Sequence, residues 1–101
     1  MSAKSLFVVD LNYLAPLPDV DVYLEGHRAF LRDGYAKNMF LASGPKVPRT
    51  GGVILAEANS LADLEAFLNL DPFKANGVAD YSITEFNAVM HKEGLFSDGD
   101  Q

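Results

Sequence analysis

Four segments of the chain carry the side chains that are typical of strands, and the first and last of them alternate in polarity. In residues 6–13, LFVVDLNY, one set of alternate positions is wholly apolar or aromatic and the other set mixes apolar and polar side chains. Shorter β-prone stretches follow at residues 38–43 and 53–58, and a longer one spans residues 78–90. The pattern therefore predicts four strands.

Between the first two strands, apolar side chains recur at the spacing of a helix. From residue 20 to about residue 32 they repeat every three or four positions, and His27 falls inside that stripe. Prolines separate this segment from the first strand. Asp19 or Asp21 is expected to cap the start of this helix, and Gly34 its end.

A second helix and a short turn are expected between the third and fourth strands. Ser60 is the expected N-cap of a helix whose apolar stripe lies within residues 61–68. Asp71 followed by Pro72 predicts a single capped turn that ends at Gly77.

The predicted order of elements is β-α-β-β-α-β, the order of ferredoxin-like α+β folds. Right-handed crossovers place both helices on one face of a four-stranded antiparallel sheet. The other face is then bare, and association into a homodimer or a higher assembly is the simplest way to cover it. We predict one domain over residues 1–96 and a disordered tail at residues 97–101.

Composition excludes several classes of function. The chain has 101 residues, and its 14 acidic and 8 basic side chains give a net charge of −6, which repels nucleic acids and anionic membranes. No apolar run approaches the roughly 20 residues that span a bilayer. Without cysteine, and with two distant histidines, neither a metal site nor a cofactor is expected. A cytoplasmic location is the default.

His27 and Asp71 are the first residues that could carry chemistry. Burial and a nearby carboxylate are the influences that tune an imidazole for acid/base work, and the helical stripe turns His27 inward. The alternative for His27 is a core histidine satisfied by a hydrogen bond. Asp71 is either a helix N-cap alone or also the group that orients His27.

Ser43-Gly44-Pro45 is the third candidate. Gly44 would let the backbone turn tightly and present amides or the Ser43 hydroxyl to a ligand, although an ordinary exit from a strand explains it equally. Ser43 lacks the G-x-S-x-G context of a hydrolase nucleophile. The loop at residues 44–52 is long for a hairpin, and its Lys46 and Arg49 could attract a carboxylate.

Several segments together resemble the YciI-like (YCII-related) family, over roughly Leu6 to Phe86. The ordered set of a helix His, a Ser/Ala-Gly-Pro turn and a late Asp-Pro-Phe/Tyr is its specific part. In this chain the resembling segments are Gly26-His27-Arg28-Ala29-Phe30-Leu31, Ala42-Ser43-Gly44-Pro45, Gly51-Gly52, Asp71-Pro72-Phe73, Ala75-Asn76-Gly77 and Ile83-Thr84-Glu85-Phe86.

The resemblance implies a fold of the dimeric α+β barrel type and an active site built around a His and an Asp. Those two residues correspond to His27 and Asp71, with Ser43, Gly44 and Pro45 as the substrate-binding segment. Most members have no assigned function; one is a dehydrochlorinase of chlorinated hydroquinones, and muconolactone isomerases share the fold.

Two hypotheses for function follow. In the first, the protein is a cofactor-independent enzyme in which His27 is the general acid or base and Asp71 accepts its other imidazole N–H. Such a pair suits proton abstraction, elimination or isomerisation on a small organic molecule, as in lyases and isomerases. In the second, the pocket binds a metabolite unchanged and the protein is an accessory dimer module. A purely structural dimer is a third possibility.

Overall fold

A computed structural model describes residues 4–95. The strands are β1 (Lys4–Tyr13), β2 (Phe40–Pro45), β3 (Gly51–Glu57) and β4 (Ala79–Ala88). The helices are α1 (Leu17–Asp21), α2 (Leu24–Ala36), α3 (Leu61–Leu68) and α4 (Pro72–Ala75). In this part of the chain no helix has the length and apolarity that a membrane span needs. The predicted tail at residues 97–101 lies outside the described residues.

The four strands form one antiparallel sheet in the order β2-β3-β1-β4. Strand β1 is central, and its Val9 lies opposite Ile54 of β3 on one side and Ile83 of β4 on the other. This topology is the ferredoxin-like α+β fold, so the predicted fold class is confirmed.

One face of the sheet packs against the helices. Phe7 and Val9 of β1 are fully buried there and belong to the same core as three aromatic rings from α2, β2 and α3. Phe30 stacks on Phe67 with ring centroids 4.9 Å apart, and Phe40 meets both rings edge-on. We call Phe30, Phe40 and Phe67 the aromatic cluster.

The opposite face of the sheet carries the other alternate positions of each strand. Its apolar cluster combines Leu6 and Ala88 with neighbours that include Leu95, and no helical residue of the described chain joins it. Val53 and Phe86, on the same face by register, are 39% and 42% exposed. The sheet face that was predicted to be bare is therefore largely open, and Leu95 folds back over one end of it.

The first predicted helix is wrong in its extent. Instead of one helix over residues 20–32, α1 ends at Asp21 and α2 begins at Leu24. A tight turn, closed by a hydrogen bond of 3.0 Å from the Tyr23 amide to the Val20 carbonyl, separates the two helices. The apolar spacing continues across this turn, so the periodicity alone predicted a single helix.

The predicted caps of that helix are also wrong. No side chain caps α1 or α2, and Asp21 binds the Arg49 guanidinium at 2.6 Å instead. Gly34 lies inside α2. Glycine is required there because a side chain would collide with the Phe40 ring that packs against the helix. Gly34 is thus a site of close packing rather than a C-cap.

The caps predicted for the later helices are confirmed. The Ser60 hydroxyl accepts a hydrogen bond of 3.1 Å from the Asp63 amide at the start of α3. Asp71 accepts one of 3.0 Å from the Phe73 amide at the start of α4. Both caps depend on residues two or three positions apart, so local sequence was sufficient to predict them.

Candidate active site

A pocket of about 330 Å³ opens on the helix-covered face of the sheet. Gly51 helps to form it, because the absence of a side chain lets the start of β3 approach the Leu11 carbonyl of β1. The pocket draws on β1, α2, the end of β2, the following loop, the start of β3 and α4. Its lining comprises Leu11, Tyr13, Leu24, His27, Arg28, Leu31, Ser43, Gly44, Pro45, Arg49, Gly52, Val53, Ile54 and Phe73.

Close contact between α2 and α4 places His27 in this pocket. A side chain at Gly26 would lie 3.1 Å from the Pro72 ring, so the glycine allows the two helices to approach. The His27 ring then stacks on Phe73, with centroids 4.1 Å apart and planes inclined by 10°. His27 is buried, with only 9% of its surface exposed. The stacking fixes the plane of the imidazole.

Asp71 binds His27 across the helix contact. The two Asp71 oxygens lie 2.9 and 3.0 Å from His27 Nδ1, and Asp71 has no exposed surface. Because a carboxylate only accepts hydrogen bonds, Nδ1 must carry the proton. His27 lines the pocket and Asp71 does not, so Nε2 is the ring nitrogen left to face a ligand. Asp71 is therefore placed to orient His27 rather than to touch a substrate.

Tyr81 completes the surroundings of Asp71. Its hydroxyl donates a short hydrogen bond to Asp71 Oδ2, while the Phe73 amide donates to Oδ1. Burial raises the pKa of the Tyr81 phenol well above its ordinary value, and the adjacent Asp71 charge and hydrogen bond raise it further. We call His27, Asp71 and Tyr81 the buried polar cluster.

The sequence analysis missed Tyr81. It was assigned only as one of the alternating residues of the last strand. A signal was available: Tyr81 lies opposite Leu11 on the helix-covered face, and a tyrosine hydroxyl buried there requires a partner. In the structure that partner is Asp71.

Ser43, Gly44 and Pro45 line the pocket, but they do not form the expected tight turn. They are the end of β2, held extended by pairing with Ile54, Val53 and Gly52. A side chain at Gly44 would meet open space, so no close approach requires glycine there. The Ser43 hydroxyl is 2.7 Å from the Tyr35 hydroxyl, and His27 is not its partner.

The two cations of the loop after β2 point to different places. Arg49 lines the pocket, where its guanidinium lies 5.6 Å from the centre of the Tyr13 ring and pairs with Asp21. Lys46 instead contacts Asp10 and Asn12, which the alternation of β1 places on the open face of the sheet. The expectation that either could attract a ligand carboxylate into the pocket therefore applies to Arg49 alone.

The arrangement of side chains in this pocket is one that can support proton transfer. One imidazole nitrogen faces the cavity and the other is held by a buried carboxylate, which is the arrangement of an oriented general acid or base. Across residues 4–95 no three His, Asp or Glu side chains converge as a metal site would require.

The comparisons with known proteins agree with the fold. A model of the YCII-related domain matches residues 7–87, from β1 into β4, so the chain belongs to that family. Among solved structures, it is similar to the 5-chloro-2-hydroxyhydroquinone dehydrochlorinase of Burkholderia phenoliruptrix in complex with 2,5-dihydroxybenzoquinone. The TM-score is 0.67 at 21% identity, covering 88% of this chain and 95% of that one. No curated protein matches.

Proposed function

We propose that this protein is a small cofactor-independent enzyme that moves a proton on a small organic molecule. His27 Nε2 removes or delivers the proton, and Asp71 holds the opposite ring nitrogen. Elimination, isomerisation and simple proton abstraction all need such a group. The observation that carries the proposal is the hydrogen bond of 2.9 Å between His27 Nδ1 and Asp71 below an open pocket.

Two features of the site support His27 as a general base. The Asp71 carboxylate stabilises the imidazolium that forms when Nε2 takes a proton, and Phe73 stacking keeps the ring in place. The structural neighbour is a dehydrochlorinase, an enzyme that eliminates hydrogen chloride. Its chemistry supports elimination as one of the reactions to test, in which a base takes the proton while chloride leaves.

A substrate panel tests the proposal directly. Chlorinated hydroquinones would be assayed for chloride release, and small carbon acids for exchange of a C–H proton with deuterium oxide by NMR. We expect wild-type protein to accelerate at least one reaction and His27→Gln to lose about 10²–10⁴-fold of that rate, the usual contribution of a positioned proton transfer.

The second histidine provides a matched control. His91 is exposed and does not line the pocket, so His91→Gln should retain the wild-type rate. Full turnover by His27→Gln would refute the proposal. Equal losses in both histidine variants would also contradict it, because that result would indicate a general effect on folding.

The alternative is a binding module that returns its ligand unchanged. One observation favours this alternative: the Ser43 hydroxyl hydrogen-bonds Tyr35, so no activated nucleophile lies beside His27. NMR analysis of a released ligand separates the two functions. A ligand recovered unaltered, without deuterium incorporation, supports the accessory module, whereas a changed ligand supports the enzyme.

Self-association through the open sheet face is part of the proposal. Phe86 leaves apolar area exposed on that face, and a second copy is its simplest cover. Light scattering after size exclusion should give a dimer or a higher assembly, and Phe86→Glu should shift it towards monomer. A monomeric wild-type protein would contradict this part of the proposal. The cytoplasmic location stays a prediction.

A further inference from the structure

The charge of the pocket is opposite to the charge of the chain. Acidic side chains outnumber basic ones by 14 to 8 overall, yet no Asp or Glu lines the pocket. Its lining includes the cations Arg28 and Arg49. Although the chain repels anions overall, this pocket is therefore lined by side chains that attract them.

Arg49 is the better held of the two arginines. Its Nη2 donates to Asp21 at 2.6 Å, and its guanidinium lies over the Tyr13 ring. Its side chain is 33% exposed. A guanidinium has five N–H donors, so the bond to Asp21 leaves others for a ligand. Because the side chain is already fixed, binding an anion costs little additional conformational entropy.

Arg28 is held much less firmly. Its Nη1 lies 3.7 Å from the Glu25 carboxylate, and its side chain is 58% exposed. A charge so exposed interacts weakly and is screened by salt. Arg28 therefore adds to the field at the pocket, but it does not fix the position of a ligand.

The remaining walls favour a flat, apolar body. Leucine and isoleucine side chains from β1, α2 and β3 line the pocket, together with the ring of Phe73. Tyr13 meets Phe73 edge-on, with interplanar angle 86°, so rings bound the pocket in two orientations. A volume of about 330 Å³ is at the small end of ligand sites.

We propose that the pocket selects a planar organic anion, a conjugated carboxylate or phenolate of about one ring, and that Arg49 binds its oxyanion. This assignment deepens the proposed function, since it names the substrate class of the same site. Arg49 determines which ligands bind, and His27 determines what happens to them.

Two probes of equal shape test the charge preference. Benzoate and benzamide differ in charge but scarcely in size, and each would be titrated into full-length protein by NMR. We expect benzoate to bind at least about tenfold more tightly, the effect of one charge-assisted hydrogen bond. In Arg49→Ala that preference should disappear, because benzoate weakens while benzamide does not.

Arg32 supplies the matched control. It lies on α2 with its side chain 66% exposed and does not line the pocket, so Arg32→Ala changes the net charge equally and should keep the preference. A preference that survives in Arg49→Ala, or equal binding of both probes to the wild type, would overturn the inference. So would the failure of both probes to bind at the highest soluble concentration.

Further measurements show whether a phenolate binds as a carboxylate does. They also distinguish failure of the anion inference from failure of the enzyme proposal. Titrating 4-nitrophenol across its ionisation shows whether a phenolate also binds, and binding only of the neutral phenol would contradict the inference.

The preference for benzoate over benzamide should persist in His27→Gln. Loss of turnover in Arg49→Ala with an intact charge preference would refute the anion inference alone, whereas turnover that survives in His27→Gln would refute the enzyme proposal alone.

Discussion

The aromatic cluster and the buried polar cluster lie between the same sheet face and the same layer of helices, yet they are built from opposite kinds of side chain. In the first, Phe30, Phe40 and Phe67 fill the interior with stacked and edge-on rings. In the second, Asp71 is surrounded by hydrogen-bond donors from three elements. Helix α2 contributes to both clusters.

The difference lies in what each cluster contributes to folding. Apolar rings stabilise in proportion to the surface that they bury and tolerate small displacements. A buried carboxylate stabilises only while all its donors stay in place, and its net contribution is small. Such a cluster fixes the direction of a group more than it stabilises the fold. The pocket accordingly opens beside the polar cluster, where His27 is the group being directed.

Loss of a ring from the aromatic cluster should have the largest effect on stability. Phe67→Ala removes the partner of both Phe30 and Phe40, and we expect it to lower the free energy of unfolding by about 3–5 kcal/mol. Denaturant unfolding measures the change. Leu61→Ala, in the same helix but with Leu61 40% exposed, should cost far less. A small loss at Phe67 would mean that the cluster is not the main core.

Removal of the Asp71 charge should have the next largest effect. Asp71→Asn keeps the shape but replaces one acceptor oxygen by an NH₂ group that faces other donors. We expect a loss of about 2–3 kcal/mol in the free energy of unfolding, since hydrogen bonds to a charged group are each worth about 1.5–3 kcal/mol. The exposed Asp63→Asn serves as control. An unchanged stability would show that the donors around Asp71 do not need its charge.

The smallest of these effects belongs to Tyr81 and depends on pH. Tyr81→Phe removes one hydrogen bond and should cost about 1–2 kcal/mol at neutral pH. Because burial raises the pKa of Tyr81 above the ordinary 10.0, the unfolded chain loses this proton first as pH rises. The contribution of Tyr81 to the free energy of unfolding is therefore fully present below about pH 10. Above that pH it falls by up to about 1.4 kcal/mol per pH unit.

The phenylalanine variant should lack this alkaline loss. Unfolding measured from pH 7 to pH 11 would show a shallower decline for Tyr81→Phe than for the wild type. Tyr35→Phe, which removes an exposed hydroxyl bonded to Ser43, should decline like the wild type. Equal alkaline slopes for Tyr81→Phe and the wild type would contradict the described environment of Tyr81.

The sequence predicted the fold well because its signals there are periodic or local. Alternation along β1 assigned Phe7 and Val9 to one face, and Ser60 and Asp71 cap helices that begin at the next residue. Helix α2 was less accessible to prediction. Its N-cap position is Tyr23, whose side chain makes no capping hydrogen bond.

The site was predicted only where a family motif or helical spacing indicated it. Contact between His27 and Asp71 was one of two alternatives for Asp71, and the structure has the two side chains in contact. Tyr81 depends on strand register between β1 and β4, which sequence alone did not fix. Lys46 and Arg49 are three residues apart in one loop, and only the path of that loop decides which of them reaches the pocket.

The most direct test of the account is the tautomer of His27, measured by long-range ¹H–¹⁵N NMR of the imidazole across a pH titration. We expect the proton to stay on Nδ1, bound to Asp71, throughout the titration, while only Nε2 gains and loses a proton at the pocket. A neutral ring with its proton on Nε2 would contradict it. Asp71 would then not orient His27 as a base, and the binding module would become the better description.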